Sequence, residues 1–157
     1  PPRSTLFPYT TLFRSRTGRK PFLPGEQYHF SISHCGDYAA AIVSKDSRVG
    51  IDIEIPVDKI ARIKDKFLND DEQQQWAINN EQSDSHEKNI LLTLLWSCKE
   101  SVFKWYGDGK VDFREHINLV DQDESNETIR CVFTKNKFSL SIQYRELNHL
   151  ILAWVIS

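Results

Sequence analysis

The chain is poor in cysteine. Cys35, Cys98 and Cys131 are an odd number, widely spaced, with no C-x-x-C among them. That excludes a disulfide framework and a thiolate zinc site, and it points to a reducing compartment. Long apolar runs are missing too: "ILLTLLW" falls far short of a membrane span, and no continuous apolar stretch could serve as a signal-peptide core. A cytoplasmic location with no membrane partner is therefore expected. Net charge is only −2, so no global field draws the chain to nucleic acid. His29, His34, His86, His116 and His149 form no HxxxH or HExxH pattern, G-x-S-x-G is absent, and "GDGK" follows a helix where a phosphate-binding P-loop would open one.

Acidic residues are absent from positions 1–20, which hold Arg3, Arg14, Arg16, Arg19 and Lys20. A basic, Ser/Thr-rich start can mimic an organellar transit peptide, but Pro8 interrupts any amphipathic helix there. Within this stretch "TLFPYTTLFRS", Thr5 to Ser15, repeats TLF with neither helical nor strand period. It looks like the translation of a common sequencing adapter. Residues 1–15 are accordingly expected to be non-native, and deleting them to change neither stability nor activity.

What is present is ordinary for one globular domain: 157 residues, 39% apolar and 27% charged. Residues 16–27 carry two prolines and two glycines and read as loop. "YHFSIS" alternates, with Tyr28, Phe30 and Ile32 on one face, and "YAAAIVS" follows after the turn "HCGD". "RVGIDIEI" is a third strand, stopped by Pro56. The spacing predicts a short helix from Asp58 to Leu68, then a second through "EQQQWAINN" with Asn69, Asp70 or Asp71 as its N-cap. A long helix is predicted from Lys88 to about Tyr106, its buried stripe made by Leu91, Leu94, Leu95, Cys98, Val102 and Trp105, with Gly107 ending it. "HINLV", "TIRCVFT", "FSLSIQYREL" and "LILAWVIS" complete a meander. Strands, then helices, then strands predict an α+β fold with helices packed on an antiparallel sheet.

Three stretches could carry chemistry. In "VGIDIEI" the isoleucines point one way and Asp52 and Glu54 the other, roughly 7 Å apart, where they repel by about 2 kcal/mol. On a strand this apolar, and so expected to be central, the pair needs a cation or open solvent. Hard oxygens on one face suit Mg²⁺, which takes few protein ligands and fills its shell with phosphate oxygens; the competing reading is the solvated face of an antiparallel strand. In "WSCKESVFK", Trp96, Glu100 and Lys104 share one helix face. Glu100 and Lys104 could equally be a surface ion pair worth about 0.2–0.5 kcal/mol, and Trp96 a core residue. In "SISHCG", Ser33 and His34 stand where a strand enters a turn, a common place for function. "GRKP" offers cations to a phosphate or is a plain basic loop.

The order of these motifs carries more than any one of them. "FSISH", then "VGIDIE", then "WSCKESVFK" resembles the 4′-phosphopantetheinyl transferase superfamily, recognised by G-[IV]-D-[IV]-E followed by W-[ST]-x-K-E-[SA]-x-x-K. The likeness runs from about Arg19 to the C-terminus. "GIDIE" lies internally after an "SISH" strand, as in the two-lobed monomeric class.

That resemblance implies a phosphopantetheinyl transferase-like fold and transfer of the 4′-phosphopantetheine arm of coenzyme A onto a serine of an acyl or peptidyl carrier protein. Asp52, Glu54 and Glu100 would hold Mg²⁺ against the pyrophosphate. Glu100 would also be the base, and Lys104 would stabilise the leaving phosphate. Ser33 and His34 would contact the nucleotide's phosphates, and Lys20 would lie beside the nucleotide. In the two-lobed class about a lobe of chain precedes the "SISH" strand, so residues 16–48 are expected to be a remnant of an N-terminal lobe and 49–157 the C-terminal lobe with the metal site. An exposed apolar face, self-association and weakened coenzyme A binding would follow. The rivals are a catalytically inactive transferase fragment and a non-catalytic cation-binding interaction module.

Overall fold

A computed structural model describes residues 27–80 and 84–157 in full, together with the backbone of Arg14–Ser15 and Pro21–Phe22. Those two short strands, β1 and β2, pair antiparallel. Lys20, and the segment Thr5–Ser15 apart from its last two residues, lie outside the described residues.

Strands β3 (His29–Cys35) and β4 (Tyr38–Ser44) form a hairpin, closed by Gly36 in the left-handed region. Strand β5 (Val49–Glu54) then enters the main sheet. A meander of β6 (Ile117–Asp123), β7 (Thr128–Phe133), β8 (Phe138–Leu147) and β9 (Leu150–Ile156) completes that sheet in the order β5-β9-β8-β7-β6, antiparallel throughout. The α+β architecture and the antiparallel sheet are those the element pattern predicts. Leu140, Ile142 and Tyr144 of β8 are buried as their alternation requires.

Strand β5 is not central. It is the edge of the five-stranded sheet, and the β3–β4 hairpin lies beside it in a separate two-stranded sheet. Its outward N–H groups meet side chains instead of a neighbouring backbone. Ile51 N donates to Ser31 Oγ at 3.1 Å and Ile53 N to Ser33 Oγ at 3.3 Å. This divides the burial of β3 between its two faces, with Phe30 buried on the apolar one. Ser31 and Ser33 are buried, because they satisfy an otherwise orphaned strand edge, whereas Ile32 is 48% exposed and Val43 of β4 64% exposed.

Helix α1 (Lys59–Ile63) and a 3₁₀ turn (Lys64–Lys66) replace the single helix read from Asp58 to Leu68. Helix α2 (Asp70–Gln75) begins at Asn69, whose side chain accepts from Glu72 N at 2.8 Å while Glu72 Oε2 accepts from Asn69 N at 3.0 Å. This is a capping box, and it selects Asn69 among the three N-cap candidates. The helix stops five residues short of Asn80, because Ala77 turns to a positive φ of 50°.

Helix α3 (Ser85–Tyr106) starts three residues before Lys88 and ends, as read, at Gly107 with a left-handed φ of 73°. Its burial exceeds a stripe: Leu92, Thr93, Ser97, Lys99 and Ser101 are buried along with Leu94, Leu95, Cys98, Val102 and Trp105. The sheet covers one side, and Phe67 and the short helix α4 (Phe113–His116) cover another through Trp96 and Phe103. His116, read as the start of a strand, closes α4. No helix among the described residues is long and apolar enough to cross a membrane.

Candidate active site

The site depends on how closely β5 approaches α3. A Cβ placed on Gly50 would lie 1.9 Å from the Ser101 carbonyl oxygen and 2.6 Å from Trp105 N. Only glycine lets strand and helix meet there, and the contact sets Asp52 and Glu54 against the helix turns that carry Glu100 and Lys104.

Asp52 is 2% exposed. The solvated outer face considered for this strand is therefore ruled out. One carboxylate oxygen, Oδ1, accepts from Lys104 Nζ at 2.7 Å and from Ser33 Oγ at 2.8 Å. The other, Oδ2, is buried with no hydrogen-bond partner. Ser33 Oγ also accepts from Lys104 Nζ at 2.8 Å as well as from Ile53 N. One donor and two acceptor positions are thus all used, and the hydroxyl is committed to holding the site together. Lys104 pairs across elements with a buried aspartate, so a surface helix pair is not a sufficient account of it.

The carboxylates feel one another. Burial, and then the charge of Asp52, push the Glu100 carboxyl up to about 7, with Lys104 opposing and Glu54 adding. Glu54, half-buried at the end of β5, is raised by burial and then by Asp52, while hydrogen bonds involving Cys35 and Trp96 and the charge of Lys104 pull the other way. Trp96 is thus both a core residue, edge-on to Phe67 at 5.2 Å, and a neighbour of the site. His34 does not join this cluster. It is exposed on the side of β3 opposite Ser33.

Among the described residues, no three His, Cys, Asp or Glu side chains stand close enough together to grip a metal ion as placed. The donor set nevertheless suits a hard divalent cation. Asp52 Oδ2 is a buried acceptor with nothing to accept from, and burial and then the charge of Asp52 make ionisation of Glu100 and Glu54 harder than usual. A cation that needs few protein oxygens and completes its shell with phosphate would relieve all three.

Two residues escaped the sequence reading. Glu72 and Lys99 form a buried ion pair at 2.7 Å. Their signals were present: Asn69 and Glu72 have capping-box spacing, and Lys99 falls in a second apolar helical row with Leu92, Trp96 and Phe103.

This geometry is accompanied by a family match over residues 48–155, to the model described as the 4′-phosphopantetheinyl transferase superfamily. The chain belongs to that superfamily. It is 24% identical over 176 aligned residues to L-aminoadipate-semialdehyde dehydrogenase-phosphopantetheinyl transferase of Xenopus laevis, covering 91% of this chain and 57% of the relative. It is 38% identical over 88 residues to enterobactin synthase component D of Escherichia coli (strain K12), covering 55% of this chain and 39% of the relative. A protein of the same description from Salmonella austin is 34% identical over 90 residues, covering 57% and 36%. The chain thus spans between about a third and just over half of the length of these relatives. Both motifs that mark the superfamily, "GIDIE" and "WSCKESVFK", lie inside the matched region, and they supply the strand and helix sides of the site.

Proposed function

We propose that this chain carries the reacting centre of a Mg²⁺-dependent transferase that moves 4′-phosphopantetheine from coenzyme A to a serine of an acyl or peptidyl carrier protein, as in holo-carrier-protein synthases. The observation that carries the proposal is Asp52: a buried carboxylate with one oxygen held by Lys104 and Ser33, the other unpartnered, and two more carboxylates within electrostatic reach. Asp52, Glu54 and Glu100 are the residues that would hold the cation. Bound there, it would supply positive charge against the pyrophosphate of coenzyme A.

The chain's own groups divide the remaining work. The carrier serine oxygen attacks the β-phosphorus, and the bond to the departing adenosine 3′,5′-bisphosphate breaks. Glu100, on the helix turn that faces Asp52 and Glu54, is the carboxylate assigned to take the serine proton. The ammonium of Lys104, one side chain from the same carboxylates, meets charge developing on the leaving phosphate. Ser33, expected with His34 beside the nucleotide's phosphates, also acts behind both by fixing Asp52 and Lys104. Lys20 and His34 are assigned to the nucleotide end of coenzyme A. For His34, exposure on the far side of β3 from the carboxylates is compatible with that role.

A second reading, an inactive fragment, draws on the span of the chain relative to its relatives. Steady-state transfer from coenzyme A to an acyl carrier protein, with and without EDTA, decides between them. Mg²⁺-dependent transfer abolished by Asp52→Ala and by Glu100→Ala is the expected result. Cation binding without transfer would leave a binding module, and full activity in either variant would remove the metal assignment.

A further inference from the structure

We propose that Glu72 and Lys99 are positioning residues, a buried ion pair that fixes the rotation of α3 about its own axis and so aims Glu100 and Lys104 at β5. The proposal rests on the roles given to Glu100 and Lys104 above and adds what holds them in place. Lys99 is 0% exposed, and its Nζ donates to Glu72 Oε2 at 2.7 Å and to the Phe113 carbonyl at 2.9 Å. Glu72 Oε1 accepts from Leu119 N at 2.9 Å, and Oε2 also accepts from Asn69 N at 3.0 Å. One pair therefore ties α3 to the start of α2, to α4 and to β6.

The need for such a tie follows from the burial of α3. Apolar contact is non-directional, and this helix is buried on nearly all sides between Leu92 and Val102. Its hydrophobic pattern consequently specifies its rotation poorly, although neighbouring side chains are only about 100° apart around a helix. A charge-assisted hydrogen bond is directional, and Lys99 immediately precedes Glu100. A buried ion pair is also poor evidence for net stability, since apolar residues of similar size often serve as well, while fixing registry is its best-attested use.

The test compares Lys99→Met, Glu72→Gln and the double variant in the full chain. Lys99→Met alone strands a buried carboxylate and should lower Tm. Adding Glu72→Gln should recover part of that loss, because the uncompensated charge is gone while one of the two backbone N–H groups held by Glu72 then meets an amide nitrogen that cannot accept. With Tm partly recovered, a crystal structure of the double variant should show Lys104 Nζ and Asp52 Oδ1 no longer at the 2.7 Å separation of the parent. Turnover with coenzyme A and acyl carrier protein should fall roughly 100-fold, the order expected for about 1 Å of misplacement. A double variant that regains part of its Tm and keeps both the Lys104–Asp52 contact and parental turnover overturns the proposal. Should the double variant not fold, Lys99→Met alone, which removes the donor, decides by the same distance at reduced temperature, and an unchanged contact overturns the proposal. If the parent chain transfers nothing, the transferase reading fails, while the crystallographic distance still tests the positioning.

Discussion

Gly50→Ala is the most direct probe of the strand–helix contact on which the site is built. The added methyl would meet two backbone atoms, the Ser101 carbonyl oxygen at 1.9 Å and Trp105 N at 2.6 Å, and neither can swing aside as a side-chain tip would. Relief requires α3 and β5 to separate by about 1 Å or more to reach ordinary contact distance. Overpacking of this kind costs about 3 kcal/mol, the upper end of the usual range, because the obstacle is backbone. For a chain of this size that is a fall in Tm of roughly 6–12 °C. Separation also breaks the 2.7 Å Lys104–Asp52 contact, so transfer activity should fall further than stability does. Gly109→Ala supplies the control. Its φ is +67° with nothing within 4 Å of an added Cβ, so it bears only the conformational strain of a left-handed alanine, about 1–2 kcal/mol, and leaves the site alone. Urea denaturation and steady-state transfer on both variants check the argument. Equal losses of stability in the two, or parental activity in Gly50→Ala, would refute the reasoning.

Glu100→Gln should stabilise the protein in EDTA as pH rises. The folded carboxyl titrates at about 7 against 4.5 ordinarily, so between these values the native state holds a proton the unfolded state has lost, and parental stability falls across that window. The variant's advantage should be nil below pH 4.5 and reach about 3 kcal/mol above pH 7, read by urea titrations across pH; a gap that does not change with pH would contradict it. Lys104→Met should cost about 2 kcal/mol, well above the 0.2–0.5 kcal/mol of a surface pair, since it strands Asp52. Adding Asp52→Asn should return part of that loss, and thermal melts of the single and double variants give the comparison. Ser31→Ala and Ser33→Ala should each lose about 1–2 kcal/mol by orphaning Ile51 N and Ile53 N. Only Ser33→Ala should also depress turnover, and equal turnover in the two would remove Ser33 from the site.

Much of this site was legible because it lies on regular elements whose periods are fixed. Alternation along β5 separates Asp52 and Glu54 from the isoleucines, and helical spacing sets Glu100 and Lys104 on one face, before any tertiary contact is known. What the periods do not contain is which elements meet. Asp52 is buried because α3 lies over Gly50 and Ser33 lies beside β5, and neither fact is local in sequence. The same limit explains the mixed burial of β3. Of the apolar side only Phe30 is buried, while Tyr28 and Ile32 are exposed and both serines are buried, because hydrogen-bond demand from an adjacent edge outweighed apolar burial at Ile32. The early end of α2 turns on the backbone of Ala77, a residue whose propensity favours continuing the helix. Lys99 was read as one letter of a motif, and only its partners Glu72 and Phe113 reveal a buried charge.

The place of β5 at the sheet edge bears directly on the chemistry. In a central strand, the N–H groups of Ile51 and Ile53 would be taken by a neighbouring backbone, whose carbonyls accept and cannot donate. At this edge they are taken by serine hydroxyls, which accept from the backbone and still have a proton to give. Ser33 uses that proton on Asp52 and its remaining lone pair on Lys104. A side chain that seals the sheet thereby also orients a carboxylate and an ammonium toward each other. Backbone pairing could protect the edge equally well, but it could not join the edge to the charged site. The two-residue period of Ser31 and Ser33 matches the spacing of outward N–H groups on a strand, so one register satisfies both demands. A one-residue slip of β3 would turn Ile32 and His34 toward β5, leaving Ile51 N and Ile53 N unpaired and Asp52 without its hydroxyl. Edge protection and site assembly are therefore one constraint on this register.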